Sequence, residues 1–347
     1  MNRTAKLVIG RRGAVAGLGV ALAAPALAQG SGDLLAAAVK EGTAVWHTSI
    51  DLPVAQKMVS LFSARYPQVR IQLERSGAER VLQRITQEYA SGIKAADVVE
   101  SSDASMFVDF KQRGWLGKHI PPDVGAHWPA EERDHDGTYA AVRAQLSVIA
   151  YNTKQVKPEE APKSFAELLH PRWRMRMVKA HPGYSGTILT STFATANVLG
   201  WQYFDELAKQ RILQVQSASD PPKKVAQGER SVMFDGSEYV VFYLKEAGNP
   251  IEVVYATEGS PLIAGQMAVM EAAPHPAAAR LFSDFVFSAA CQQLMSDEGG
   301  IRSFHPAVKL PPSRKPLSEI KVLPTDPEAL VKAAAEVKRR YTAAFGV

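Results

Sequence analysis

From Asp33 onward, short apolar runs rich in β-branched residues alternate with longer stretches of helical periodicity. Ala44–Thr48 reads as a strand, Val54–Tyr66 as a helix, Val69–Glu74 as a strand, Glu79–Ser91 as a helix and Asp97–Glu100 as a strand. This βαβαβ rhythm constrains the chain more than any other feature. Parallel strands need a crossover between them, the crossover helices cover the sheet, and ligands then bind where loops leave the carboxyl ends of the strands. The expected fold class is therefore α/β. Tyr139–Asn152 reads as a further strand, with Val142, Leu146, Val148 and Ile149 among small residues. A second α/β unit runs from Arg174–Ala180 to about Gly248, and another strand lies around Val253–Thr257. Beyond Gly265 the pattern returns to strand and then helix, which is expected to carry the chain back into the first unit. The proline-rich residues 308–325 read as an extended surface strap, ahead of a last helix from about Pro327 to Ala344.

The amino terminus has a different character. Arg3, Lys6, Arg11 and Arg12 precede an apolar run from Ala14 to Leu22, and Ala26-Leu27-Ala28 places small residues before Gln29. A charged start, a short apolar stretch and a small-residue site are the features of a secretory signal peptide, here residues 1–28, cleaved near Ala28–Gln29. The run is too short to span a bilayer and is broken by Pro25. Arg11-Arg12 leaves the general and the twin-arginine export routes both open. This segment holds four basic residues and no acidic one, so without it the formal net charge of +5 falls to +1 and the remainder is nearly neutral. Such a surface has no general pull toward nucleic acid or anionic lipid. The remainder is long enough for two domains with their own cores. The single cysteine, Cys291, allows no intrachain disulfide. It sits in the apolar helical stretch Leu281–Leu294, where a buried, inert thiol is expected.

Several phrases taken in order carry a resemblance: Ala96-Asp97-Val98-Val99, Ile149-Ala150-Tyr151-Asn152-Thr153, Pro182 through Thr187, Glu258-Gly259-Ser260-Pro261, and Ala273 through Phe287 leading to Gln292. Together they resemble the periplasmic solute-binding proteins of ABC importers, in the branch holding ferric-iron, phosphonate and sugar-phosphate binders. The resemblance implies a two-lobed type II periplasmic binding fold. Each lobe is a mostly parallel sheet flanked by helices, two crossover strands near residues 139–150 and 250–258 join them, and the cleft between closes on its ligand. Residues 29–140 and 256–325 then form lobe 1, residues 141–255 form lobe 2, and residues 326–347 form a carboxy-terminal helix packed on a lobe. It further implies a periplasmic monomer that delivers a small anionic ligand to an inner-membrane permease, with no cofactor, no metal and no covalent chemistry.

The sharpest local signal for a ligand is His181-Pro182-Gly183-Tyr184-Ser185-Gly186-Thr187, followed by an apolar helical stretch. A Ser-Gly-Thr turn opening a helix offers two hydroxyls, unpaired backbone N–H groups and the positive end of the helix dipole. Ser185 alone also suits plain N-capping; in the resembled family the matching turn holds an anion, which implies that role for Ser185, Gly186 and Thr187. In lobe 1 the turns Thr48-Ser49, Ser76-Gly77 and Ser101-Ser102-Asp103 each follow an apolar run, as a cleft at strand ends requires. Ser76 has capping-box spacing to Glu79, so it is either a cap or a contact. Arg143 offers either a bidentate contact to an oxyanion or an interlobe salt bridge. In lobe 2, Asp235 and Glu238 are candidates to meet a cationic group or sugar hydroxyls of the ligand, and Tyr239 follows directly. A phosphonate or a sugar phosphate fits this layout, aminoethylphosphonate included.

Ferric iron is the alternative within the class. Iron-binding relatives carry adjacent tyrosines, hard oxygen donors for Fe3+, where this chain has Tyr239 followed by Val240; their first-lobe Glu and His fall on Ser102 and Ile50. Tyr239 and Tyr243, at helical spacing, also read as one buried face. A secreted hydrolase is the rival outside the class, but Gly183-Tyr184-Ser185-Gly186 lacks the second glycine of a nucleophile elbow. Asp134-His135-Asp136 reads as a solvated turn rather than a metal site.

Overall fold

The computed structural model describes residues 26–323 and 325–347, with side chains from Gly32 onward. Residues 1–25 of the expected signal peptide lie outside the described residues, and helix α1, Ala26–Glu41, runs through the expected cleavage point. Strands β1 (Thr43–Thr48), β2 (Arg70–Arg75) and β3 (Val98–Ser101) alternate with helices α2 (Leu52–Arg65) and α3 (Ala78–Ala90), followed by α4 (Ala104–Gln112) and α5 (Pro122–His127). Strand β4 (Ala140–Leu146) and strand β5 (Ile149–Asn152) come next, then β6 (Met177–Ala180), α6 (Gly186–Leu199), α7 (Trp201–Ala208), β7 (Leu213–Val215), α8 (Asp220–Ala226), β8 (Val232–Met233), α9 (Glu238–Glu246) and β9 (Ile251–Val254). The chain ends with β10 (Ser260–Val269), α10 (Pro276–Phe287), α11 (Ala289–Gly299), β11 (Val322–Leu323) and α12 (Pro327–Phe345).

These strands form two sheets. The first runs β11-β10-β3-β1-β2 with β4 beside β10, and the second runs β7-β6-β8-β5-β9. Each is parallel in its βαβ half (β1 with β2 and β3; β6 with β7 and β8) and antiparallel where the strands leading to and from the crossovers join. The stretch Tyr139–Asn152, read as one strand, is two: β4 pairs with β10 in the first sheet and β5 pairs with β8 and β9 in the second. The change of sheet falls at Ser147-Val148, not at the expected lobe boundary before residue 141. There Ser147 N donates to Pro261 O at 2.9 Å and Val148 N to Gly236 O at 3.1 Å, so the crossover backbone is tied to both lobes. The strand expected at Val253–Thr257 lies at Ile251–Val254.

The first core is built around Trp46, Phe62, Phe282 and Phe285, whose rings meet edge-on at 5.1–5.2 Å. The second gathers Phe165, Trp173, Phe204 and Phe234. Arg172 and Arg176 lie over the buried Trp173 ring and pack against it. The helical stretch Leu281–Leu294 is broken: Ser288 is extended, caps the next helix through Cys291 N, and separates α10 from α11. Cys291 is fully buried and its thiol is pushed up by desolvation. Helix α12 is capped by Asp326, which accepts from Glu328 N at 2.9 Å, with Pro327 in its first turn. It does not rest on one lobe. It packs on α4 of the first and on α6 and α7 of the second.

One buried carboxylate joins distant parts of the first lobe. Asp97, fully buried, accepts from Val45 N and from His275 N, each at 2.7 Å, and lies 2.9 Å from His275 Nδ1. Replacing Asp97 with Ala leaves two backbone N–H groups without their acceptor, at about 1–3 kcal/mol each. The expected outcome is a loss of about 3 kcal/mol in urea unfolding with the slope unchanged; a loss under about 1 kcal/mol would show that water replaces the carboxylate freely.

Candidate functional site

The loop after β1 and strand β4 meet around a second buried carboxylate, Glu100 of β3, which is fully buried. Its Oε2 accepts from Thr48 Oγ1 at 2.6 Å, Ser49 N at 2.8 Å and Ile50 N at 3.2 Å. Its Oε1 accepts from Arg143 Nε at 2.9 Å, and Arg143 Nη2 donates to Ser49 Oγ at 3.2 Å. The guanidinium fits only because residue 265 on the facing strand is glycine: a Cβ there would stand 2.9 Å from Arg143 Cγ and Nε. Arg143 is thereby held, 2% exposed, at the wall of a cavity of about 290 Å³ between the lobes.

The opposite wall is the start of α6. Ser185 is its N-cap, extended at φ −133° and ψ 120°, and Ser185 Oγ accepts from Ile188 N at 3.4 Å. A hydroxyl that accepts there still has its own proton to donate into the cavity. Thr187 Oγ1 accepts from Gln145 Nε2 at 2.6 Å, a bond from β4 across to the second lobe. Gln145 Oε1, buried at the cavity wall, has no partner. The lobes touch where side chains are missing: a Cβ on Gly186 would lie 2.6 Å from Asp103 N, and one on Gly77 3.3 Å from Tyr184 O.

Of the residues singled out in the sequence, Ser49, Gly77, Ser102, Arg143, Ser185, Thr187 and Tyr239 line this cavity. The others do not. Thr48 is spent on Glu100, and Ser101 Oγ accepts from Asp103 N at 3.1 Å. Asp103 caps α4 through Ser105 N at 3.0 Å, and burial pushes its carboxyl up. Gly186 faces Asp103. Ser76 forms no capping box, because the N-cap of α3 is Gly77 without a side-chain bond, and Ser76 does not reach the cavity either. Asp235 is buried against Lys179 at 2.5 Å, with desolvation raising the acid and lowering the amine. Glu238 is gripped by Arg302 through two bonds of 2.9 Å and by Tyr255 OH at 2.5 Å. Neither acid is available to a ligand. Tyr239 and Tyr243 share no buried face, since Tyr239 is buried at the cavity while Tyr243 is 58% exposed. Asp134 and Asp136 both pair with Lys111, at 2.5 and 2.8 Å, which fits an ion-paired turn.

Several lining residues escaped the sequence reading. Arg75, Arg80 and Gln83 come from the end of β2 and the first turns of α3; Gln216, Ser217, Ser219 and Asp220 come from the loop after β7. Arg75 immediately precedes the Ser76-Gly77 turn, and Gln216–Asp220 obeys the same rule of loops after parallel strands, so both signals were present. Arg75 donates to Ile50 O at 3.1 Å. Arg80 is exposed and has no acidic partner among the described residues. The carboxylates in the lining are Glu79, paired with Lys338 at 2.6 Å, and Asp220, which accepts from Ser217 N at 2.9 Å. Of the three guanidinium groups, Arg143 is paired with Glu100 and Arg75 lies 3.9 Å from Asp51, which leaves Arg80 as the unpaired cation of the lining among the described residues. Desolvation pushes the Tyr239 phenol up, away from phenolate.

The fold has counterparts among solved structures. The periplasmic binding protein AfuA of Actinobacillus pleuropneumoniae, solved with fructose-6-phosphate bound, superposes with a TM-score of 0.80 at 22% identity, covering 88% of this chain and 99% of that one. Iron-bound HitA of Pseudomonas aeruginosa gives a TM-score of 0.75 at 21% identity, covering 86% and 99%. The architecture is thus the two-lobed type II periplasmic binding protein fold. In sequence, iron uptake protein A1 of Synechocystis sp. is 25% identical over 142 residues, a match spanning 37% of this chain and only 39% of that protein. The pattern of a family of binding proteins rather than enzymes, described as bacterial extracellular solute-binding protein, matches residues 94–321, more than half of the chain. By that match, the chain belongs to the bacterial extracellular solute-binding proteins.

Proposed function

We propose that this protein is the periplasmic receptor of an ABC importer, exported by a signal peptide over residues 1–28, and that it holds a small organic anion, a phosphonate or a sugar phosphate, for an inner-membrane permease. The observation that carries the reading is the convergence of Arg75, Arg80 and Arg143 with the N-terminus of α6 on one interlobe cavity. In this reading Ser185 and Thr187 donate hydroxyl protons to the oxyanion while the first backbone N–H groups of α6 and the helix dipole favour its charge. Arg143, immobilised by Glu100, presents a fixed guanidinium, and Ser49 and Ser102 add hydroxyls from the first lobe. The fructose-6-phosphate bound to AfuA supports a phosphorylated ligand for this fold.

Ferric iron is the second reading, because Tyr184 and Tyr239 both line the cavity and HitA was solved with iron. The guanidinium groups repel a trivalent cation and the Tyr239 phenol resists ionisation. Titrating ligand-stripped protein with sugar phosphates, phosphonates and ferric citrate while following the melting temperature separates the two, since binding to the native state raises it by mass action. The expected outcome is stabilisation by a phosphorus-containing anion; stabilisation by ferric citrate alone, with a visible charge-transfer band, would replace the anion by iron.

Two substitutions test the site itself. Replacing Ser185 and Thr187 together with Ala is expected to weaken anion binding by about 1–3 kcal/mol per lost charge-assisted bond in calorimetry. Unchanged affinity would remove α6 from the site. Arg80→Gln touches no structural partner, so the melting temperature of the free protein should hold while anion affinity falls about tenfold at low salt and less at high salt. A salt-independent affinity would show that Arg80 plays no part.

A further inference from the structure

A second cavity, of about 300 Å³, lies between the lobes one turn further along α6. Its polar groups come from four places: Glu131 and Glu132 of the 3-10 turn Ala130–Glu132, Gln266 of β10, Thr190 of α6 and Thr325 ahead of α12. Leu262 and Leu330 supply apolar wall, and no lysine, arginine or histidine lines it. Thr190 is 4% exposed and Gln266 5%, yet Thr190 Oγ1 and Gln266 Oε1 have no hydrogen-bond partner, nor does Thr325 Oγ1. The register of β10 against β4 shifts between Gly265 and Gln266, a bulge of the kind that re-aims a side chain. Glu132 has no ion pair and no hydrogen-bonded partner among the described residues, and burial beside Glu131 pushes its carboxyl up to about 7.

Buried polar atoms are normally satisfied, and here the unsatisfied ones are all oxygens that accept, grouped with two carboxylates and no cation. What the site lacks is a positively charged donor. A bare divalent ion would require six or more oxygens drawn tightly around it. A cavity of this size with an apolar wall suits instead a charged head on a short carbon chain. We propose that this cavity binds a small aliphatic ammonium ion, which donates to the Glu132 carboxylate, Gln266 Oε1 and Thr190 Oγ1 and lays its carbon chain on Leu262 and Leu330. The ammonium binds the ionised form of Glu132, so affinity is full above the range in which that group titrates and falls as the pH drops through about 7. The other titratable group on that turn is Glu131; α4, α6, β10 and the start of α12 present none to this cavity, while Lys111, Arg133, Asp134, His135, Tyr139 and Glu328 line the adjoining one with Glu131.

The test is calorimetric titration of the mature protein with n-butylammonium chloride, with calcium chloride in a parallel series. The expected result is one site at about pH 8 that weakens roughly tenfold at about pH 6, is lost with Glu132→Gln and is weakened with Thr190→Val. Both variants should keep the anion affinity of the first cavity, which separates this site from that one. No binding by the natural chain, binding untouched by either substitution, or binding of calcium alone would overturn the proposal. If Glu132→Gln does not fold, Thr190→Val decides, because a weaker amine with an unchanged anion titration is not a folding effect.

Discussion

A carboxylate shut away from water must be surrounded by donors, and Glu100 organises the first lobe's side of the cleft by that requirement. It is completely buried at the end of β3, where the loops after β1 and β3 and the strand β4 converge. The hydroxyl of Thr48, the amides of Ser49 and Ile50 and the guanidinium of Arg143 satisfy it. Breaking one partner of such a set is costly because the remaining charge stays buried. The rigidity of Arg143 is therefore inherited from an acid that does not itself line the cavity. Gly265 belongs to the same arrangement, since the facing strand must come close without a side chain.

The α/β architecture was legible because strand and helix periods are local. Strands β1, β2 and β3 and helices α2 and α3 lie within a residue or two of where alternation and helical spacing put them. Which sheet a strand joins is not local. Residues 139–152 carry one uninterrupted apolar pattern, yet Ser147 and Val148 pass from one sheet to the other, a step determined by pairing with β10 on one side and with β8 and β9 on the other. The break at Ser288 has the same origin in reverse: a single serine cap ends an apolar run that periodicity alone would continue.

The candidate site was half legible for a related reason. Searching loops after parallel strands found Ser49, Ser102 and Ser185, which do face the cavity. It misjudged Asp235 and Glu238 because the partners that neutralise them, Lys179 and Arg302, are 56 and 64 residues away in the chain. A buried acid and a ligand-binding acid look alike in sequence until the cation that claims one of them is located. Arg75 borders the Ser76-Gly77 turn and was within reach of the same search, whereas nothing in the immediate neighbours of Arg80 distinguishes a guanidinium turned to a cleft from one turned to solvent.

The contacts between the lobes are of two kinds. Along α9 they are apolar: Tyr239 and Val240 of the second lobe belong to the core built on Trp46 and Phe62 of the first. The other contacts are polar: the buried pair of Arg302 and Glu238, the bond from Gln145 to Thr187, and the partly exposed pair of Lys338 and Glu79. Partly exposed ion pairs contribute about 0–1 kcal/mol. Helix α12 bridges the lobes: Leu330, Val337 and their apolar neighbours fasten it to Leu189, Phe193 and Trp201 of the second, while it also packs on α4 of the first, where Lys338 meets Glu79. The lobes are therefore joined chiefly by apolar packing at α9 and α12 and by the buried pair of Arg302 and Glu238, whose separation would leave each charge shut away from water without its partner.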